Sequence, residues 1–259
     1  MRVAAAIIAL FGITSPALAE APQGVATIDI IPGWQTPSGT RMVGLKITLA
    51  DGWKTYWRAP GDAGIPPQFE WTGSENISGA AFHWPTPELF DTNGAVTIGY
   101  HGTVVIPIEL TGDGDTMYLS GEVDMGVCND ICVPVSLNFD ALLADKGGPN
   151  AAIAGALIDQ PMTADRANVS KVQCSAVPIR DGLRLTASIE MPTFDDNEFV
   201  VVEAPGAWVS ESHSTREGGI LTATVDVVPM VQGYMLDRSQ IRLTVLGAGR
   251  AVDIRGCTG

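Results

Sequence analysis

Apolar residues alternate with polar or small ones along several stretches of this chain. Val43, Leu45, Ile47 and Leu49 alternate with Gly44, Lys46 and Thr48 ahead of an Asp51-Gly52 turn. Leu183, Leu185, Ala187 and Ile189 do the same after Asp181-Gly182. Leu221, Ala223, Val225 and Val227 follow Gly218-Gly219, and Ile241, Leu243 and Val245 lead into Gly247-Ala248-Gly249. Short alternating runs bounded by turn residues predict antiparallel strands packed as β-sandwiches. The rhythm breaks between Ala144 and Ala167. There Lys146-Gly147-Gly148-Pro149 precedes an Ala-rich stretch from Ala151 to Asp159, with Asn150 placed to cap a helix. The pattern predicts two all-β domains, 20–143 and 168–259, joined by a linker, 144–167, that holds one short helix.

The cleanest alternation lies around a pair of cysteines. Met117, Leu119, Val123, Met125 and Val127 are apolar at odd positions, and Val133, Val135, Leu137 and Phe139 continue the parity beyond Cys132. Folding the segment about Asp130 sets Val127 against Val133, Met125 against Val135 and Val123 against Leu137. It also sets Cys128 opposite Cys132, with both cysteines on the face away from the valines. On a straight strand, residues four apart are separated by roughly 13 Å, beyond the ~7 Å reach of a disulfide. The Asn129-Asp130-Ile131 loop supplies the turn that such a bond needs. A bond closing so small a loop adds little stability and is easily reduced, which suggests a redox role. The reading left open beside it is a second structural disulfide. Cys174 and Cys257 lie 83 positions apart and read as a structural staple for the second domain.

Composition and the N-terminus fix the setting. Arg2, an apolar run from Val3 to Thr14, Pro16 and the small-x-small site Ala17-Leu18-Ala19 have the layout of a secretory signal peptide, 1–19, cut after Ala19. No later run is long enough to span a bilayer, so no transmembrane segment is expected in the mature chain. Export puts the cysteines in an oxidising compartment. Hydrophobic residues at 46% and charged ones at 17% exclude a disordered chain. With 29 acids against 15 bases and a net charge of −14, nucleic acid is an unsuitable partner.

Other cysteine chemistries fit less well. His83, His101 and His213 are scattered, and no second pair has zinc-ligand spacing. Copper(I) held by Cys128 and Cys132, with or without Met125, is chemically sensible, but Met125 falls on the apolar face and reads as core. A nucleophilic cysteine would need a base, and none is indicated. No cofactor and no metal are expected.

The run Gly52-Trp53-Lys54-Thr55-Tyr56-Trp57-Arg58-Ala59-Pro60-Gly61-Asp62-Ala63-Gly64-Ile65-Pro66-Pro67 resembles the periplasmic N-terminal region of DsbD-type thiol:disulfide interchange proteins. Within them it is most similar to the ScsB-like branch, the copper-sensitivity suppressors. Trp84-Pro85-x-Pro87, Ile98-Gly99-Tyr100-x-Gly102 and Val127-Cys128-Asn129-Asp130-Ile131-Cys132-Val133-Pro134 add to the likeness, which covers most of the first domain. The resemblance implies immunoglobulin-like β-sandwiches. It implies that Cys128 and Cys132 pass electrons between a membrane reductase and periplasmic thioredoxin-like proteins, with the mixed disulfide on either cysteine and Cys132 preferred. It also implies that the loop from Pro60 to Pro67 shields the pair, with Trp53, Tyr56, Trp57 and Pro66 as shield and aromatic cap. The aromatics read equally well as a cap on the sandwich core. Better-known members have a longer spacing between the two cysteines. The sequence carries neither the family's membrane domain nor its thioredoxin-like domain, so the membrane donor is expected to be a separate protein.

Charge refines the expected mechanism. No Lys or Arg lies between Arg58 and Lys146, while Glu122, Asp124 and Asp130 flank the cysteines. Unless Arg41, Lys46, Lys54 or Arg58 folds close by, the partner supplies the more reactive thiolate. The alternative, from another class, is a non-catalytic β-sandwich interaction module, with or without copper(I) binding.

Overall fold

The computed structural model describes residues 24–259 apart from 93 and 115, so the expected signal peptide lies outside the described residues. Among the described residues the fold is nearly all β, with one short helix. One four-stranded sheet runs in the order Ala26–Gln35, Arg41–Leu49, Thr103–Gly112, Ile77–Phe82. Facing it, a second sheet runs Cys132–Leu143, Met117–Cys128, Lys54–Tyr56, Ala95–His101, Glu88–Thr92, with Gln68–Glu70 also paired to Met117–Cys128. The alternation explains the packing. Val43, Leu45 and Ile47 from one sheet and Leu119, Val123 and Val127 from the other are buried in a single core.

Residues from Met162 to Arg255 build two further sheets. One orders Met162–Thr163, Arg250–Arg255, Arg242–Gly247 and Phe199–Glu203. The other orders Lys171–Ile179, Gly182–Glu190, Ile220–Pro229 and Ala207–Val209, with His213–Glu217 also on Ile220–Pro229. Their core contains Leu185, Ile189, Val225, Val227, Leu243 and Val245. The consecutive apolar residues Val200, Val201 and Val202 bury both faces of their strand. Val200 and Val202 join this second core, whereas Val201, Leu246 and Ala251 pack into the first.

The stretch expected to be a linker is itself packed. Asn150 caps the helix Ala151–Ile158 by accepting from the N–H groups of Ala152 and Ile153. Ile153 is fully buried against Gly33 and Gly44, where a methyl group on Gly44 would lie 2.9 Å from Ile153 Cγ1. Gly148 N–H donates to the Gly33 carbonyl, and Asp159 supplies its carbonyl to Thr86. Burying a side chain of this size stabilises by roughly 1.5–3 kcal/mol, so this segment is fixed to the first sandwich over part of its length.

Candidate functional site

Cys128 ends one strand and Cys132 begins the next, and the hairpin pairs them directly. The register also pairs Val127 with Val133, Met125 with Val135 and Val123 with Leu137, in agreement with the parity of the sequence. Across the turn, Asn129 N–H donates to the Ile131 carbonyl. Cys128 and Cys132 are disulfide-bonded with Cα atoms 4.1 Å apart. The two ends of the bond differ sharply in access. Cys128 is only 1% exposed, whereas Cys132 is exposed at the mouth of the hairpin beside Ile131.

Tyr56 makes the closest polar contact. Its strand, Lys54–Tyr56, pairs with Met117–Cys128, and its hydroxyl lies 2.8 Å from Cys128 Sγ and 3.4 Å from Cys132 Sγ. Disulfide sulfurs carry no hydrogen, so the hydroxyl is the donor. Burial pushes the Tyr56 pKa up, which keeps that proton in place at neutral pH. Gly126 makes room for the ring. A methyl group there would lie 2.9 Å from Tyr56 Cε2 and 3.0 Å from Ile65 Cβ. The loop after Pro60 thus reaches back over the strand, and Ile65 is its contact. The structure brings Ile65 and Gly126 to the site, although sequence reasoning singled out neither. The glycine inside an otherwise regular strand is the signal that could have pointed to a close approach.

The other expected residues divide. Trp57 is fully buried in the core, with the Arg58 guanidinium 3.8 Å from its ring centroid. Trp53 is half-buried against the same core. Pro66 lies in the loop, half-buried, one residue beyond the Ile65 contact. Met125 is buried on the face opposite the two cysteines and accepts from the Thr55 hydroxyl, so it is not brought to them as a further copper ligand. Among the described residues no three His, Cys, Asp or Glu side chains form a metal-sized cluster. Cys174 and Cys257 are disulfide-bonded, their Cα atoms 5.7 Å apart, with Cys174 buried in the second core.

Of the four cations considered, Lys54 comes nearest in register, directly opposite Cys128. Its ammonium turns aside, 3.0 Å from the Thr97 hydroxyl and 4.8 Å from the Phe90 centroid, where burial lowers its pKa. Arg41 donates to the Asp145 carbonyl, Lys46 faces Asp29, and Arg58 pairs with Glu203. Asp124 is hydrogen-bonded to Ser136. The cationic groups nearest in sequence are thus directed at other partners.

This geometry defines a β-sandwich that carries a hairpin disulfide with one exposed cysteine beside a short loop, a site suited to thiol:disulfide interchange. Residues 27–144 match the family described as thiol:disulfide interchange protein DsbD, N-terminal. The crystal structure of the N-terminal periplasmic domain of ScsB from Proteus mirabilis is similar over 90% of this chain and 92% of its own, with 28% identity and a TM-score of 0.63. The reduced N-terminal domain of DsbD from Neisseria meningitidis aligns over 44% of this chain and 82% of its own, with 16% identity and a TM-score of 0.27. No curated protein sequence matches the chain. Residues 27–144 thus resemble a DsbD-type N-terminal domain, and nearly the whole chain is similar to the periplasmic domain of ScsB. Among the described residues, no helix is long and apolar enough to cross a membrane.

Proposed function

We propose that this is a periplasmic thiol:disulfide exchange protein that works through Cys128 and Cys132, and that Cys174–Cys257 is structural. Its signal peptide is 1–19, cut after Ala19; 20–143 is the redox domain and 168–259 a second β-sandwich, joined through 144–167. A partner thiolate attacks the sulfur of Cys132, the exposed residue of the pair, and forms a mixed disulfide. The Cys128–Cys132 bond breaks, and its electron pair leaves on Cys128 Sγ as a thiolate. The Tyr56 hydroxyl is already within hydrogen-bonding distance of that sulfur and stabilises the leaving charge. The partner's second thiolate then attacks its own sulfur of the mixed disulfide. The partner leaves oxidised, Cys132 leaves as a thiolate, and the pair is reduced. Run backwards, the same steps deliver the electrons to a thioredoxin-like protein, with a separate membrane reductase as donor. Ile65 and the Pro60–Pro67 loop limit access, and Trp53, Trp57 and Pro66 support that loop.

The observation that carries this reading is the asymmetry of the disulfide, with Cys132 an exposed residue and Cys128 buried under a hydroxyl donor. To test it, the oxidised protein is mixed with a purified thioredoxin-like protein whose resolving cysteine is replaced by Ala, and the adduct is mapped by peptide mass. A mixed disulfide on Cys132 is expected. No adduct, or an adduct confined to Cys128, would overturn the proposal.

A further inference from the structure

The loop that packs over Gly126 beside the disulfide has a second side. Its inner side places Ile65 against Tyr56 and Gly126. Its outer side, through Pro60, Gly61, Asp62 and Pro66, lines an open cleft of about 660 Å³ whose far wall includes Trp208 and Val209 of the second sandwich. The loop therefore has space to swing away from the cysteines.

What holds its root comes from both sandwiches. Ile98 N–H donates to the Pro60 carbonyl at 2.9 Å. Two residues before Pro60, Arg58 donates from Nε and from a terminal nitrogen to the two carboxylate oxygens of Glu203, at 3.1 and 2.9 Å. Arg58 also donates to the Thr244 hydroxyl at 3.5 Å. Glu203 and Thr244 share the sheet face whose Val201, Leu246 and Ala251 enter the first core. A fork-to-fork pair fixes direction as well as distance, and partial burial shields it from salt.

We infer that Glu203 is a positioning residue for the redox site: through Arg58 the second sandwich braces the root of the covering loop and sets how often the disulfide is uncovered. The inference rests on the exchange reading of Cys128 and Cys132. Its mechanism is local opening: weakening the brace raises the uncovered population and speeds thiol attack in both directions equally. The equilibrium of the cysteine pair is therefore unchanged.

The test uses the full mature chain and dithiothreitol as the attacking thiol, following each disulfide separately by alkylation and mass spectrometry. Glu203→Gln is expected to speed reduction of Cys128–Cys132 about three- to tenfold. Its reduction potential and the reduction rate of Cys174–Cys257 should stay unchanged. Glu203→Asp, which keeps the carboxylate, should fall between wild type and Glu203→Gln. Faster reduction of both disulfides would mean general loosening, and equal rates for Cys128–Cys132 in wild type and Glu203→Gln would mean no brace; either result overturns the inference alone. A wild-type Cys128–Cys132 bond that dithiothreitol does not reduce would overturn the exchange reading and the inference with it.

Discussion

The two disulfides of this chain are built from the same chemistry and placed to opposite effect. Cys174 and Cys257 close an 83-residue separation within the second sandwich, with Cys174 buried in its core. Cys128 and Cys132 close a separation of four, and one of the two is exposed. A cross-link stabilises chiefly by restricting the unfolded chain, and the restriction grows with loop length. The first bond can therefore contribute to folding, while the second has little to give there. Its surroundings instead leave Cys132 exposed and set a hydroxyl donor against the Cys128 sulfur. On the proposed reading, value to the fold and value to chemistry are separated along one chain.

That contrast breaks most visibly by deleting each bond in turn. Replacing Cys174 and Cys257 by Ala is expected to cost about 4–5 kcal/mol of stability, read by denaturant melting, while Cys128–Cys132 still exchanges in the folded protein. Replacing Cys128 and Cys132 by Ala should cost about 2 kcal/mol or less and abolish exchange altogether. Equal stability losses would erase the distinction.

Next in size is the hydroxyl at the sulfurs. Tyr56→Phe keeps the ring over Gly126 and removes only the donor, so reduction by a thioredoxin-like protein should slow about tenfold, in line with the ~1.5–3 kcal/mol of a hydrogen bond to a charged group. Stopped-flow fluorescence would follow the rate, and an unchanged rate would leave Tyr56 with a packing role alone. Gly126→Ala works in the other direction. Its methyl group must displace Ile65 or the Tyr56 ring, so glutathione should reduce the disulfide roughly threefold faster through the more open loop.

The smallest effect concerns charge at the far side of the loop. Glu211 of the second sandwich has its pKa raised by burial, with Asp62 and Asp91 adding repulsion and the Val96 N–H opposing it. A carboxyl whose folded pKa is raised favours folding most when protonated, and that advantage is lost as pH rises through the folded value. Glu211→Gln keeps an acceptor for Val96 without the charge. It should raise the melting midpoint by about 1 °C at pH 7 and leave it unchanged at pH 4. A gain at pH 4 of equal size would contradict this assignment.

How much of this was legible in the sequence follows the range of the interactions. The hairpin register could be read because parity of apolar positions and a three-residue loop together allow one alignment, and the cysteines follow from it. Asn150 was legible as a cap because capping is local. The burial of Ile153 was not, since Ala151–Ile158 is apolar on every side and shows no preferred face; only Gly33 and Gly44, inside strands, hint at a close neighbour. The contact of Ile65 with Tyr56 and Gly126 joins a loop to a strand about 60 positions away, and the pairing of Arg58 with Glu203 spans 145 positions. Such contacts depend on tertiary packing and leave only scattered traces, among them a strand glycine and a run of three valines.

The central claim, that Cys128–Cys132 is an exchange site and Cys174–Cys257 a staple, is tested most directly by the reduction potential of the hairpin pair. Equilibrating the full mature chain against glutathione or dithiothreitol buffers and quantifying the thiols of Cys128 and Cys132 gives the value. A potential above about −250 mV is expected for a bond that opens in function, whereas one below about −300 mV would place it with structural disulfides and contradict the account.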